Sequence, residues 1–268
     1  MFGPHSVTWR VNREAILLLG GGRALLLQVA HPLVAAGVAQ HSDFRTAPLT
    51  RLWRTLELML TITFADAAHA IHAVRQIERI HSQVHGKLDV AAGPFRRGTR
   101  YDANDPELLF WVLATLVDTA LLMYERFVGP LTAEEHAAYF REAKIAARLF
   151  AIPETLIPRG AREFRAYMKD MIEGDTLAVS AASRDIAAAI LRPPLPPGLQ
   201  HAVRATNFVT AGLLPPKLRE RYQLPLGLAG QAMLGAMTAV APLALAVVPP
   251  WLRALPGRLL MQERRASS

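Results

Sequence analysis

The sequence predicts an all-α protein. Apolar residues recur at spacings of three and four along nearly every segment, helix-starting signals open several of these segments, and no alternating strand pattern recurs. Hydrophobic residues make up 51% of the 268 residues and charged residues only 19%, so one sizeable core can be buried. We predict a single domain of about ten helices over residues 1–268. A C-terminal helical subdomain after residue 198 is the alternative, because residues 192–198 (RPPLPPG) resemble a rigid linker.

Local signals place the predicted helices. Residues 12–30 form an apolar helical stretch that three glycines at 20–22 interrupt, so that two helices approach closely there or the chain turns tightly. Pro32 starts the next helix. Further helices are predicted over residues 49–64, 66–86, 106–127, 132–150, 161–173 and 176–191. Asp105-Pro106-Glu107 and a capping box that begins at Thr132 mark two of the starts. A polar loop is predicted over residues 87–104.

Two terminal regions bear on localisation. The first residues lack the charged region, short apolar run and small-residue cleavage site of a secretory signal, so we expect a cytoplasmic protein. Residues 222–252 contain neither a charged residue nor a histidine, and this stretch is long enough to span a bilayer. We predict a buried C-terminal helix pair that is broken at Pro242. Membrane association, including peripheral contact through residues 222–252, is the alternative.

Charge and cysteine content restrict the partners and cofactors. The formal net charge is +8, but the arginines are scattered through apolar helices rather than clustered with aromatic residues, so we expect no nucleic-acid partner. Anionic membrane surfaces and buried propionate-like groups suit these arginines better. The chain has no cysteine, which excludes disulfides, iron–sulfur clusters and thiolate-ligated haems. Any metal would be held by His, carboxylate, Tyr or Met side chains.

The main candidate for a functional residue is His81. In the helix predicted over residues 66–86, a rotation of about 100° per residue places this histidine near the centre of an apolar stripe. The other members of the stripe are Ala67, Ala70, Ile71, Val74, Ile77 and Val84. Burial of an unpaired imidazole costs about 1–3 kcal/mol. His81 therefore requires a backbone carbonyl, a carboxylate or a metal as its partner, and the pattern alone leaves all three open.

The preceding helix carries polar residues on an otherwise apolar line. Arg51, Thr55, Leu58 and Ile62 share this line, and Arg54 lies about a sixth of a turn to one side. A buried arginine needs an anionic partner. The line therefore indicates either a salt bridge to a nearby carboxylate or a polar pocket in which Arg51 and Thr55, at positions i and i+4, face the same ligand.

Four more polar residues adjoin apolar runs. His31 and His41 flank the apolar residues 32–40, and each has a structural interpretation beside a ligand-binding one. Asp118 interrupts the apolar helix over residues 106–127, where it either pairs with a buried arginine or orients a ligand histidine. Arg23 is, like Arg54, a candidate for contact with a propionate group or with a ligating residue.

This set of residues suits haem b. The chain lacks the HExxH, Glu-x-x-His and His-x-His spacings of zinc hydrolases and di-iron bundles, and it lacks a GxSxG nucleophile turn. In a helical, cysteine-free chain, one centred histidine can supply the proximal ligand. Arginines can meet the propionates or a distal ligand, and dioxygen can take the open side of the iron.

Several blocks of the chain resemble the MpaB-type oxygenase family, to which latex-clearing protein, the rubber oxygenase, is distantly related. In chain order between Trp9 and Trp251 they are RALLLQVAHPLVAAGVAQHSDF, RLWRTLELML, IHSQVHG, DPELLFWVLATLVDTALLMYERFVGPL and TAGLLPPKLRERYQLP. The resemblance implies a largely helical fold with a globin-like core, one haem b, and oxidative attack on a lipophilic substrate.

The resemblance also implies roles for individual residues. His81 matches the iron-ligating histidine of the latex-clearing relatives. Their distal Arg-x-x-Lys-Thr pattern matches Arg51-Leu-Trp-Arg54-Thr55, in which arginine replaces lysine. Their distal glutamate has no clear counterpart, and His31, Gln40 and His41 are the candidates for that neighbourhood. Many relatives have Trp-Val-His-Ala-Thr where this chain has Leu113 in place of the histidine.

We therefore predict a haem b-dependent oxygenase that oxidises an unsaturated, isoprenoid- or lipid-like substrate with dioxygen, and cleavage of a C=C bond is the more specific expectation. The predicted metal ligand is His81, the predicted catalytic residues are Arg51, Thr55 and His41, and further cofactor contacts are predicted for Arg54, Arg23, His31 and Asp118. One alternative is a haem- or lipid-binding helical protein without catalytic turnover. The other is a membrane-associated helical protein whose residues 222–252 insert. The sequence leaves the oligomeric state open.

Overall fold

The structure is a computed structural model that describes residues 2–42, 44 and 48–254, and the side chains of residues 48–52, 197 and 250 lie outside this description. The α-helices are α1 (Val7–Asn12), α2 (Gly21–Ala30), α3 (Pro32–His41), α4 (Pro48–Phe64), α5 (Ala67–His81), α6 (Pro106–Phe127), α7 (Ala133–Leu149), α8 (Ala161–Glu173), α9 (Ala181–Leu191), α10 (Gln200–Leu213), α11 (Pro216–Arg221), α12 (Leu228–Ala246) and α13 (Pro250–Arg253). Short 3₁₀ helices cover Ala15–Gly20, Glu154–Leu156 and Pro197–Leu199. Two strands, β1 (His85–Lys87) and β2 (Arg100–Asp102), form one antiparallel hairpin.

The predicted all-α fold class is confirmed. The described residues form 13 α-helices and a single small sheet. Three of these helices, α1, α11 and α13, have six residues or fewer, and a periodicity argument does not detect helices of that length. The globin-like arrangement of the core stays a prediction.

Helix α6 runs through the main core. Asp105 caps its N-terminus, since the carboxylate accepts a hydrogen bond from the backbone N–H of Glu107 at 2.9 Å, and Pro106 occupies the first turn. The helix packs against α2, the 3₁₀ helix Ala15–Gly20 and α12. Its Trp111 is almost fully buried. The start predicted from the sequence is confirmed, as is the capping box at the start of α7.

Two of the glycines at 20–22 allow a close approach of neighbouring elements, which is one of the two predicted alternatives. A Cβ atom on Gly20 would lie 2.6 Å from Met123 of α6, and one on Gly22 would clash with Thr210 of α10. The same position on Gly21 has no neighbour within 4 Å. Two of the three glycines are therefore required by their neighbours rather than by a turn.

We expect Gly22→Ala to lower the free energy of unfolding by about 1–3 kcal/mol, because the added methyl group must displace a buried threonine in a packed interface. Gly21→Ala is the matched control, and we expect a change within about 0.5 kcal/mol. Urea unfolding curves of the two variants measure the difference. Equal stabilities would show that α2 and α10 separate easily.

The hairpin corrects two predictions. Helix α5 ends at His81 rather than at residue 86, and part of the polar loop predicted over residues 87–104 is paired as strand, with Gly86 opposite Tyr101. A Cβ atom on Gly86 would lie 2.6 Å from the Tyr101 hydroxyl oxygen, so glycine is required by the tyrosine. Strands of three residues are too short to show a period of two in the sequence.

The prediction of a buried C-terminal helix pair is wrong. Helix α12 continues through Pro242 as one helix. Among the described residues, α6 and α12 are both long and apolar enough to cross a membrane, with mean hydropathies of 1.6 and 1.5. Half of the apolar stretch of α6 is buried inside the protein, whereas none of the corresponding stretch of α12 is buried. The composition of these helices is therefore compatible with membrane association.

Several contacts join the C-terminal helices to the N-terminal segment. The Tyr222 hydroxyl donates a hydrogen bond to the carbonyl oxygen of Leu26 at 2.7 Å. Arg253 Nε donates to the carboxylate of Glu14 at 2.8 Å, and the Glu14 side chain is only 3% exposed. The extent of the domain, and a division after residue 198, stay predictions.

Candidate functional site

His81 lies where α5 turns into the β-hairpin. Asp66 caps the start of α5, accepting a hydrogen bond from the backbone N–H of His69 at 2.9 Å. At the other end, the carbonyl oxygen of His81 accepts a hydrogen bond from the backbone N–H of Val84 at 2.8 Å. Val84 in turn approaches Gly37, where a Cβ atom would lie 3.2 Å from the valine side chain. His81 is thus held between α5, α3 and the hairpin.

The buried face of α5 is narrower than the predicted stripe. Its buried residues are Ala70, Ala73, Val74 and Ile77. Ala67 and Ile71, which belong to the predicted stripe, are exposed, because α5 packs mainly against one helix, α4. His81 remains on the inward side and is half-buried.

One ring nitrogen of His81 lacks a partner. Its Nδ1 is buried and has no hydrogen-bond partner within the described part of the chain. Burial lowers the pKa of His81, and the negative charge of Asp102 offsets only part of this effect. The imidazole is therefore favoured in its neutral form, which is the form that ligates metals. An orphaned buried nitrogen on a neutral ring is an available ligand atom.

His31 is the second buried imidazole of this region. It caps the start of α3, where its Nδ1 accepts a hydrogen bond from the backbone N–H of Leu33 at 3.3 Å. Its ring centroid lies 5.3 Å from that of Phe95. Burial lowers the pKa of His31 to about 4, although the charge of Asp105 acts in the opposite direction.

The two imidazoles adjoin the same turn. The charge of Asp102 acts on His81 and that of Asp105 acts on His31, and the backbone N–H of Asp105 donates to the carbonyl oxygen of Asp102 at 3.0 Å. Each of the two histidines therefore lies near one carboxylate of the turn between β2 and α6.

We expect His31 to make folding pH-dependent. The folded state binds this proton only near pH 4, whereas an unfolded histidine binds it near 6.5. Between these values the unfolded state holds more protons, so the stabilisation is complete above pH 6.5 and is lost as the pH falls through 4. The loss is about 3 kcal/mol.

Urea unfolding between pH 7 and pH 4 measures this loss in wild type and in His31→Asn, because asparagine can still cap α3. The expected result is a shallower pH dependence in the variant. His72→Asn, at an exposed position, is the control for removing a histidine. Parallel curves for wild type and His31→Asn would contradict the assignment.

His41 is exposed and contacts the hairpin. Its Nε2 lies 3.1 Å from the carbonyl oxygen of His85 and 3.1 Å from the hydroxyl oxygen of Tyr101. That hydroxyl donates to Gln40 at 2.5 Å. The structure therefore gives His41 a role in holding α3 to the hairpin, and its predicted catalytic role stays a prediction.

The predicted inward line on α4 is only partly buried. Ile62 is buried and Leu58 is half-buried, but Thr55 and Arg54 are exposed. The side chain of Arg51 lies outside the described residues. In the C-terminal half of α4, Phe64 meets Trp9 edge-to-face with ring centroids 4.9 Å apart. The expectation that Thr55 and Arg54 are buried is therefore corrected, while their functional roles stay predictions.

Asp118 pairs with a buried arginine, which is one of the two interpretations predicted for it. Arg23 Nη2 donates to Asp118 at 2.7 Å, Nη1 donates to the Thr119 hydroxyl at 2.6 Å, and Nε donates to the carbonyl oxygen of Leu213 at 2.9 Å. The guanidinium therefore has partners on α6 and α10. None of these described contacts joins Arg23 or Asp118 to His81.

A metal site made from several protein ligands is not found in residues 2–42, 44 and 48–254, which contain no group of three or more His, Cys, Asp or Glu side chains placed to hold an ion. Haem iron needs only one axial protein ligand, and the orphaned nitrogen of His81 fits that requirement. The sequence located His81 but could not show that its Nδ1 lacks a partner or that Asp102 is its charged neighbour. Both depend on the hairpin, which the sequence pattern does not reveal.

The fold and the site together define a helical protein in which the half-buried His81 has a ring nitrogen, Nδ1, without a hydrogen-bond partner among the described residues, and this histidine could hold a cofactor. The family model described as ER-bound oxygenase mpaB/B'/rubber oxygenase, catalytic domain, matches residues 9–243. The chain therefore belongs to this oxygenase family. Uncharacterized proteins of Mycobacterium bovis and Mycobacterium tuberculosis are each 28% identical to it over 172 residues, which cover 62% of this chain and 67% of each relative. No solved structure matches significantly.

Proposed function

We propose that this oxygenase uses haem b, with His81 as the axial ligand, to oxidise an unsaturated lipophilic substrate with dioxygen. The observation that carries the proposal is the buried Nδ1 of His81, which has no partner among the described residues. Leaving such a nitrogen unpaired costs about 1–3 kcal/mol. Membership of a family whose description includes rubber oxygenase supports a lipophilic substrate and, as the more specific proposal, cleavage of a C=C bond.

The residues of the chain would position the cofactor and set the charge around it. Bound haem would activate dioxygen for attack on the substrate. His81 would hold the cofactor, and burial keeps its imidazole neutral and able to donate a lone pair. The turn that carries Asp102 adjoins this ring, and the hydrogen bond from Val84 to the His81 carbonyl oxygen limits the movement of its backbone.

Further roles are proposed for residues of α4 and for two histidines at the ends of α3. Arg51 and Thr55 would line the distal side and Arg54 would meet a propionate group, since all three lie in the first half of α4. His41 is the other proposed catalytic residue, and its bonds to the hairpin fix its ring near residue 85. His31, with its neutral ring, is the second imidazole close to the same turn.

Haem titration followed by oxygen-uptake measurements tests the proposal. We expect the purified full chain to bind haem in a 1:1 ratio with a Soret band, and the reduced complex to consume dioxygen when an unsaturated isoprenoid is added. Mass spectrometry then distinguishes carbonyl cleavage products from hydroxylated ones. Failure to bind haem would overturn the proposal. Six-coordinate haem that does not react with dioxygen would instead support a non-catalytic haem-binding protein.

A further inference from the structure

Helix α12 presents an apolar outer face to solvent. One side of the helix packs on the protein: Leu234 contacts α10 at Gly212, and Ala241 packs against the cluster that contains Met123 and Phe127 of α6. The remaining circumference is exposed. Its large residues and their exposed fractions are Leu228 85%, Met233 53%, Met237 38%, Val240 59%, Leu243 73% and Val247 83%, and they continue into Trp251 56% and Leu252 45%.

The apolar surface of this face is much larger than that of a single exposed apolar residue. The 19 residues of α12 correspond to about 28 Å of helix, and residues 222–252 contain no charge. Contiguous apolar surface of this extent marks an interaction site rather than an ordinary solvent-facing helix.

The part of the chain that carries the apolar face is basic. The C-terminal residues 192–254 contain six arginine or lysine residues and one acidic residue, Glu220. One of these, Arg219 of α11, lines a crevice of about 280 Å³ together with Arg126 of α6, beside Gln231 and Leu234 of α12. The crevice thus combines apolar walls with two cations at the edge of the outer face, a combination that suits the headgroup and first acyl carbons of an anionic lipid.

The charge decides between two occupants. A second copy of the chain would meet this surface through the same patch in a two-fold dimer, so basic residues would oppose basic residues. An anionic bilayer has the complementary charge. Trp251 lies in α13, which follows α12, and tryptophan is typical of the membrane interface.

The packing decides the orientation. The inner side of α12 lies along α6 and α10, and α10 carries the exposed residues His201 and Arg204. A spanning α12 would carry these groups into the hydrocarbon, which is costly. An in-plane helix buries only its outer face at the boundary between headgroups and acyl chains.

We propose that α12 is an in-plane membrane anchor that binds the surface of an anionic bilayer through its outer face, with Arg126 and Arg219 contacting lipid headgroups. This proposal does not depend on haem or on catalysis. It places the protein at the lipid bilayer, in which lipophilic molecules dissolve.

Flotation of the full chain with lipid vesicles, without detergent, tests the proposal. We expect wild type to float with vesicles of phosphatidylcholine mixed with phosphatidylglycerol, to float less with phosphatidylcholine alone, and to be released by high salt in part. The double variant Val240→Glu/Leu243→Glu should reduce the bound fraction about tenfold or more. Val90→Glu, at a position 73% exposed on the hairpin loop, is the matched control and should float like wild type. Arg126→Gln should lower the preference for the anionic vesicles.

The other outcomes are distinct. Binding that is unchanged in the double variant would overturn the proposal, as would a wild type that never floats. A dimer in sedimentation velocity that the double variant abolishes, without vesicle binding, would assign the face to a second copy. Resistance to extraction with alkaline carbonate would indicate a spanning helix and overturn the in-plane orientation. Circular dichroism confirms that each variant is folded, and a failure of haem binding would leave every one of these results unchanged.

Discussion

The His81→Ala variant is expected to lose the Soret band that wild type shows when haem is added. The imidazole is the proposed axial ligand, and its removal should weaken haem binding by more than about 100-fold, since even residues that only support a ligand contribute about 10–100-fold. The substitution removes a side chain with an orphaned buried nitrogen at the last residue of α5. We therefore expect little loss of stability in the absence of haem.

Two further variants make this result specific. His72→Ala lies on the exposed side of the same helix, so it should bind haem as wild type does. His81→Gly should recover a Soret band when free imidazole is added, because the small molecule can replace the missing ring in the vacated space. Unchanged haem binding by His81→Ala would transfer the ligand role to another residue, with His31 as the next to be tested.

The Arg23→Met variant is expected to lose about 3 kcal/mol of stability. Its guanidinium is 5% exposed and joins Asp118 and Thr119 of α6 to the end of α10. Removal of one partner from such a pair leaves the other charge without compensation, which costs about 3–5 kcal/mol when both are buried. Asp118 is 27% exposed, so solvent reduces this cost.

Chemical unfolding in urea measures the effect, and a double variant separates the charge from the packing. Arg23→Met/Asp118→Leu removes both charges and should recover part of the lost stability. The control is Arg148→Met, whose ion pair with Glu154 is 59% exposed on each side and should contribute less than about 1 kcal/mol. Equal losses at Arg23 and Arg148 would show that burial of the Arg23 pair contributes nothing.

Most long helices could be predicted from the sequence because their signals are local. Asp105 and Pro106 act within the first turn of α6, and the helix begins there. The hairpin was missed because its pairing of Gly86 with Tyr101 joins residues that no local pattern connects. The same pairing ends α5 earlier than the glycine suggested. The apolar composition of α12 predicts a buried helix. Composition alone does not show whether another part of the protein covers the helix.

The candidate site was predictable to the extent that it lies on one helix. Periodicity placed His81 on the inward side of α5, and the structure agrees. Periodicity also places Thr55 on an inward line, but its side chain is exposed. The helical period states which residues share a face, whereas burial depends on what other elements pack against that face. Arg23 and Asp118 illustrate the reverse case, in which two residues far apart in sequence are partners.

The ion pair between Glu14 and Arg253 has a consequence for how the chain acquires its structure during synthesis. The two residues are 239 positions apart, so the 239 residues that follow Glu14 must be synthesised before its carboxylate meets this partner. The hydrogen bond from Tyr222 to Leu26 closes a loop of similar length. Contacts of such high sequence separation form slowly. The segment around Glu14 and Leu26 therefore completes its contacts long after it has itself been synthesised.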